Sequence, residues 1–178
     1  MGKTAYQIKI TLKDSDPKIW RRIIISSGLL LPDLHKVIQT SMGWTNSHLH
    51  QFIKGKKYYL DEYDEMESAF GDRCIVYNKV KISDVLIKEK EKFEYEYDFG
   101  DGWRHEILLE KILQADKKFN YPVCIEGKMS CPPDDCGGIG GYYDMLDIIR
   151  DPKNKEYEET IDWLGGDFDP EYFNIDEV

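Results

Sequence analysis

The sequence predicts an α+β fold: an antiparallel β-sheet built from hairpins and covered by helices. Three observations carry this prediction. Paired segments at residues 5–25 and 93–112 alternate polar and apolar residues around turn-forming clusters. Three further segments repeat apolar residues at helical spacing. No internal repeat and no Ser/Gly-rich linker divides the 178 residues, so 1–178 is read as a single domain.

The elements follow in order. Tyr6, Ile8, Ile10 and Leu12 alternate with Gln7, Lys9, Thr11 and Lys13, the pattern of a half-buried strand. The cluster Asp14-Ser15-Asp16-Pro17 turns the chain, and Trp20 to Ile25 reads as the returning strand. Pro32 suits a first helical position, Leu34, Val37, Ile38 and Met42 form an apolar stripe, and Gly43 ends the helix. His48, His50 and Phe52 alternate with Leu49, Gln51 and Ile53 in a third strand that turns at Gly55 into 57–60. The acidic stretch 61–73 is expected to be a long loop and Cys74 to Tyr77 a short strand, with Ser83 capping a short helix through Leu86. The strongest local signal is Phe93, Tyr95, Tyr97 and Phe99, then Gly100-Asp101-Gly102, then Trp103, His105, Ile107 and Leu109. Residues 121–141 read as an ordered loop, followed by helices near 142–150 and 154–164, the latter ended by Gly165-Gly166.

Bulk charge narrows the function classes. The chain carries a net charge of −10, which argues against a general binder of nucleic acid or anionic membranes. The distribution is uneven: residues 1–60 hold 10 Lys+Arg against 3 Asp+Glu, a net of +7, and residues 61–178 a net of −17. Two halves attracting one another within one fold is the plain explanation. A basic face for an acidic protein or nucleic-acid partner, built from Lys9, Lys13, Lys18, Arg21 and Arg22, is the other. The longest apolar runs, at 23–25 and 29–31, fall far short of a membrane span, and the amino terminus lacks the apolar core of a signal peptide. No membrane partner is therefore expected, and the chain is read as cytoplasmic.

Several segments match a known family. PKIWRRI, LPDLHKVIQTSMGW followed by HLHQF, YEYDFGDGWRHEILLEKI, CPPDDCGGIGGY and DWLGGDFDPEYF stand in this order. Together they resemble the plasmid pRiA4b ORF-3-like family, from Tyr6 to about Phe173. The family pattern usually has Glu where this chain has Asp134 or Asp135. The resemblance implies a compact α+β domain of bacteria and archaea, often tied to plasmids or mobile elements. It implies no reaction, cofactor or catalytic residue, because the family has none assigned.

Candidate chemistry therefore comes from the residues alone. The hairpin tip gathers Asp98, Asp101, Trp103, Arg104 and His105, a set able to bind a divalent cation or share a proton, with turn-making and packing as the structural alternative. His48 and His50, at i and i+2 on one strand, suit a shared ion with His35 or Asp101 as a third ligand, or a pair of packing histidines beside Trp44. Cys124, Cys131 and Cys136 fall within 13 residues. They read first as small buried side chains, then as part of a zinc site with Cys74, then as redox sensors without the C-x-x-C spacing. The glycine run 137–141 reads as a packing turn, since Asp134-Asp135 beside it would repel phosphate. Trp44, Tyr97 and Trp103 are expected to wall a shallow pocket where the two strands' polar groups meet. Two functions follow: a non-enzymatic accessory protein of plasmid or mobile-element biology, or a metal-dependent hydrolase, phosphodiesterase- or nuclease-like, using the Asp/His cluster and a divalent ion such as zinc.

Overall fold

A computed structural model describes residues 4–61, 73–115 and 122–178. The acidic loop expected over 61–73 lies, apart from its ends, outside the described residues, as does Tyr121. Eight strands form one sheet: β1 (Thr4–Leu12), β2 (Trp20–Ser26), β3 (His50–Lys54), β4 (Lys57–Leu60), β5 (Cys74–Val76), β6 (Lys92–Tyr97), β7 (Trp103–Gln114) and β8 (Val123–Lys128). Their spatial order is β5-β4-β3-β6-β7-β1-β2-β8. Among the described residues four α-helices accompany them: α1 (Leu31–Met42), α2 (Ile82–Val85), α3 (Gly138–Arg150) and α4 (Tyr157–Leu164).

Period-2 alternation places one apolar set on a single face. Ile8, Ile10 and Leu12 of β1, Ile23 and Ile25 of β2, Phe93 and Tyr95 of β6, and Ile107 and Leu109 of β7 are all buried in one cluster. Helix α1 sets Leu34, Ile38 and Met42 into the same cluster. Each such side chain contributes roughly 1.5–3 kcal/mol on leaving water. The helix begins with proline at its start and Asp33 in its first turn, where the dipole favours an acid. It ends at Gly43, whose φ of 79° lets the chain reverse so that Trp44 N–H reaches Gln39 O at 3.0 Å.

The expectation of an antiparallel hairpin sheet covered by helices is overturned. The sheet is mixed, because β5 runs parallel to β4, and the fold is mostly sheet with few helices. A parallel neighbour needs a crossover instead of a tight turn, and the chain between Leu60 and Cys74 supplies the length. The second face dispenses with helices because charge ladders solvate it. Lys13–Glu94 (3.1 Å), Arg22–Glu110 (2.7 Å), Lys92–Glu106 (2.6 Å) and Arg104–Glu96 (2.9 Å) lie across it. Helix α4 has no buried residue, and α2 is a single turn in which Asp84, not Ser83, accepts the capping N–H of Lys81. Residues 123–128, read as loop, form β8 against β2. Helix α3 starts inside the glycine run, at Gly138.

Two of these pairs, Lys13–Glu94 and Arg22–Glu110, join the basic first third of the chain to the acidic remainder. Of the five cations considered for an exposed basic face, Lys13 and Arg22 are ion-paired and Lys9 lies over the Trp20 ring at 4.4 Å. Arg21 is buried, donating from Nε to Ser41 O (3.0 Å) and from Nη1 to Trp20 O and Lys128 O.

Candidate metal centre

The YDFGDGW and CPPDDCGG motifs meet in space. The β6–β7 turn is tied by Asp98, whose φ of 54° starts the reversal and whose carbonyl accepts from Gly102 N–H at 2.6 Å. Its Oδ1 accepts from Gly100 N–H at 2.9 Å, leaving Oδ2 free of the turn. Asp101 then docks on the glycine run: its Oδ2 accepts from Gly137 N–H at 3.1 Å. A Cβ on Gly138 would stand 2.5 Å from Asp101 O, and one on Gly141 would stand 1.9 Å from Cys136 O. Those glycines are needed for close approach, which is why a helix can start among them.

This interlock brings the Asp134-Asp135 dipeptide to His48. His48 lies in the bend before β3, where strand alternation does not apply. Its Nε2 is 3.0 Å from Asp135 Oδ1 and 3.7 Å from Asp98 Oδ2. Neither approach has hydrogen-bond geometry, so this buried nitrogen has no hydrogen-bond partner. One ligand atom from each of His48, Asp98 and Asp135 lies within 4.8 Å of the other two, and among the described residues no other His/Cys/Asp/Glu trio is so placed. Tyr97 supports the arrangement. Its hydroxyl accepts from Ser47 N–H at 3.1 Å and lies 3.4 Å from Asp134 Oδ2, tying the loop before β3 to the dipeptide. Trp44 adds a second tie, donating from Nε1 to Pro132 O at 2.9 Å.

The other histidines are elsewhere. His50 does not share an ion with His48: it stacks on His35 with ring centroids 3.5 Å apart and bonds Tyr77 Oη through Nε2 at 2.7 Å. His35 bonds Tyr95 Oη (2.8 Å) and Asn46 Oδ1 (2.6 Å), while Gln39 donates to the same Tyr95 hydroxyl at 2.9 Å. Burial, reinforced by His35, pushes His50 down to about 3, and burial also lowers His35. His105 is fully buried, edge-on to Trp44 at 5.3 Å, and burial holds it down at about 4. Backbone of Trp103 and Tyr95 offsets that slightly, yet neither ring nitrogen reaches hydrogen-bond geometry. All three stay neutral imidazoles near pH 7.

The remaining candidates also separate. Trp44, Tyr97 and Trp103 do meet, with Trp44 5.1 Å from Tyr97 and 5.8 Å from Trp103, but as buried rings packed on one another. Arg104 faces the opposite side of the sheet and pairs with Glu96. No disulfide joins the cysteines, and Cys124, Cys131 and Cys136 are dispersed. Cys131 Sγ contacts Met42 Sδ and Arg21 Nη2, Cys136 lies by Gly138 O, and Cys124 by Glu126 O. Burial pushes Cys131 up to about 11 and, with help from Asp101, Asp134 and Asp135, Cys136 up to about 12; Cys124 is raised too. Thiols so protonated are poor zinc ligands and poor redox nucleophiles. Asp135 is the candidate ligand that sequence reading missed, having entered only as an anion repellent. The available signal was its place in CPPDDCGG, a long motif read only as loop.

A sheet whose hairpin tip brings the Asp98 carboxylate to His48 and Asp135 of neighbouring loops defines a protein with a candidate mononuclear metal centre. The chain belongs to the plasmid pRiA4b ORF-3-like protein family, whose model matches residues 4–177. It is 33% identical over 181 residues to the uncharacterized protein y4hQ of Sinorhizobium fredii, covering all of this chain and 90% of that protein. It also resembles the crystal structure of MM3350, a protein of unknown function from Methanosarcina mazei Go1. The TM-score is 0.89 and the identity 38%, covering all of this chain and 99% of the other. The family is thus one of unknown function. No helix among the described residues is long and apolar enough to cross a membrane.

Proposed function

We propose that this chain is a divalent-metal-binding domain in which His48 Nε2, Asp98 Oδ2 and Asp135 Oδ1 hold one ion. The observation that carries the reading is the unpartnered, buried Nε2 of His48 between two carboxylates. One imidazole and two carboxylates suit Mn2+, Fe2+ or Zn2+, and three protein ligands leave positions for water. An ion so bound polarises water, and hydrolysis is the reaction class within its reach. Asp101 and His105, grouped with these ligands at first, serve as the helix-docking carboxylate and a core ring. The free thiols of Cys124, Cys131 and Cys136 fit a reducing compartment, which supports a cytoplasmic location.

A second reading, a non-enzymatic accessory role in plasmid or mobile-element biology, is favoured by exposed apolar surface flanking the site. Leu49, next to His48, is 60% exposed and Trp163 is 51% exposed, as on a docking face. Elemental analysis and Mn2+ and Zn2+ titrations of the metal-stripped protein test the first reading. It expects one ion per chain, lost in His48→Ala and retained in His50→Phe. No stoichiometric ion, or equal uptake by His48→Ala, refutes it.

A further inference from the structure

The geometry points to the groove between α3 and α4 as a docking site for an extended peptide segment of another protein bearing arginine or lysine. The groove has a volume of about 580 Å3, within the range of functional ligand sites, and Asp135 lies in its wall. Its apolar lining is Met145, Ile148 and Trp163, the last with its indole half exposed. Among the described residues its charged lining is Asp135, Asp144, Glu156 and Glu159, with no Lys, Arg or His. Lys155 touches Glu156 at 3.1 Å but does not line the groove, and such an exposed pair holds weakly.

This lining selects an occupant. Four carboxylates repel phosphate, so a phosphodiester strand is disfavoured. A guanidinium or ammonium group gains both the carboxylates and the face of Trp163, to which a cation is attracted by the ring quadrupole. The apolar floor takes the aliphatic stem of the same side chain. A small cation alone leaves Ile148 and part of the Trp163 ring uncovered, which favours a peptide over a free polyamine. Because Asp135 belongs to both places, the peptide would lie beside the ion. In naming that substrate class the inference rests on the metal reading, although the groove's own contacts do not need the ion.

The test is titration of the full chain with a fluorescent Gly-Ser-Arg-Leu-Arg-Ser-Gly peptide, at about 150 mM salt so that charges beyond ~8 Å are screened. Glu156→Gln with Glu159→Gln should weaken binding by about tenfold and Trp163→Ala by about fivefold, as lost charge-assisted and cation–π contacts require. Glu158→Gln removes one charge from α4 outside the groove lining and should leave affinity within about twofold, against about threefold for Glu159→Gln alone. The version with Glu in place of Arg should not bind. Absence of Arg-peptide binding, an equal loss in Glu158→Gln, or spermidine binding as tightly as the peptide overturns the assignment. Metal uptake read on the same variants keeps the two readings apart. The Glu156/Glu159 variant should lose peptide and keep metal, and His48→Ala should lose metal and keep peptide.

Discussion

His48 and His50 are two residues apart and live in opposite surroundings. His50 is sealed between His35 and Tyr77, bonded, stacked and held neutral. His48 sits at the mouth of the hairpin tip with its Nε2 facing Asp135 and Asp98 and bonded to neither. The difference lies in the chain's path. Only His50 belongs to β3, so only His50 inherits the strand's buried face, and the bend before it turns His48 toward the loop carrying Asp135. An imidazole in the first setting costs stability when protonated, whereas one in the second is available to a cation.

The largest expected effect breaks the comparison on the core side. His105→Ala removes a fully buried ring packed against Trp44 and Tyr95 and should cost about 3 kcal/mol, as ring-sized cavities do, with metal uptake unchanged in the fraction that folds. Chemical denaturation with a metal titration checks both halves. Next comes acid. The folded values of about 4 for His105 and about 3 for His50 lie below the ordinary 6.5, so the unfolded chain binds more protons as pH falls through 6.5. Stability should therefore be complete above about pH 7 and decline below it, by about 2 kcal/mol per histidine at pH 5. Denaturation curves at pH 7 and pH 5 measure this, and a flat profile would show the rings to be solvated. Smallest is Arg104→Ala on the far face. Its pair with Glu96 is more than half exposed on the arginine side, so the loss should stay below about 1 kcal/mol, with no change in metal uptake.

Local signals wrote much of this fold into the sequence. The β1–β2 and β6–β7 hairpins and the limits of α1 and of α4's carboxyl end follow from alternation, Gly100-Asp101-Gly102, Pro32, Gly43 and Gly165. What stayed illegible was set by distant contacts. β8 shows no clean alternation because it is a half-exposed edge, and its Gly127 is there for Phe173, which a Cβ would meet at 2.5 Å. The start of α3 contradicts glycine's helix propensity and makes sense only once Asp101 packs on it. The parallel β4–β5 pair and the ladder-covered second face likewise depend on pairing across the chain. At the site, Asp98 and His48 were legible as polar residues beside aromatic strands. Asp135 was not, because it stands 37 positions along the chain from Asp98.

The most direct measurement of the central claim is the melting temperature of metal-stripped protein with and without Mn2+ or Zn2+, for the natural sequence and His48→Ala. An ion bound only by the folded state at 100 times its dissociation constant adds about 2.7 kcal/mol. The natural sequence should melt several degrees higher with the ion, and His48→Ala should melt at one temperature in both conditions. No shift in the natural sequence, or the same shift in His48→Ala, would contradict a metal centre at His48, Asp98 and Asp135.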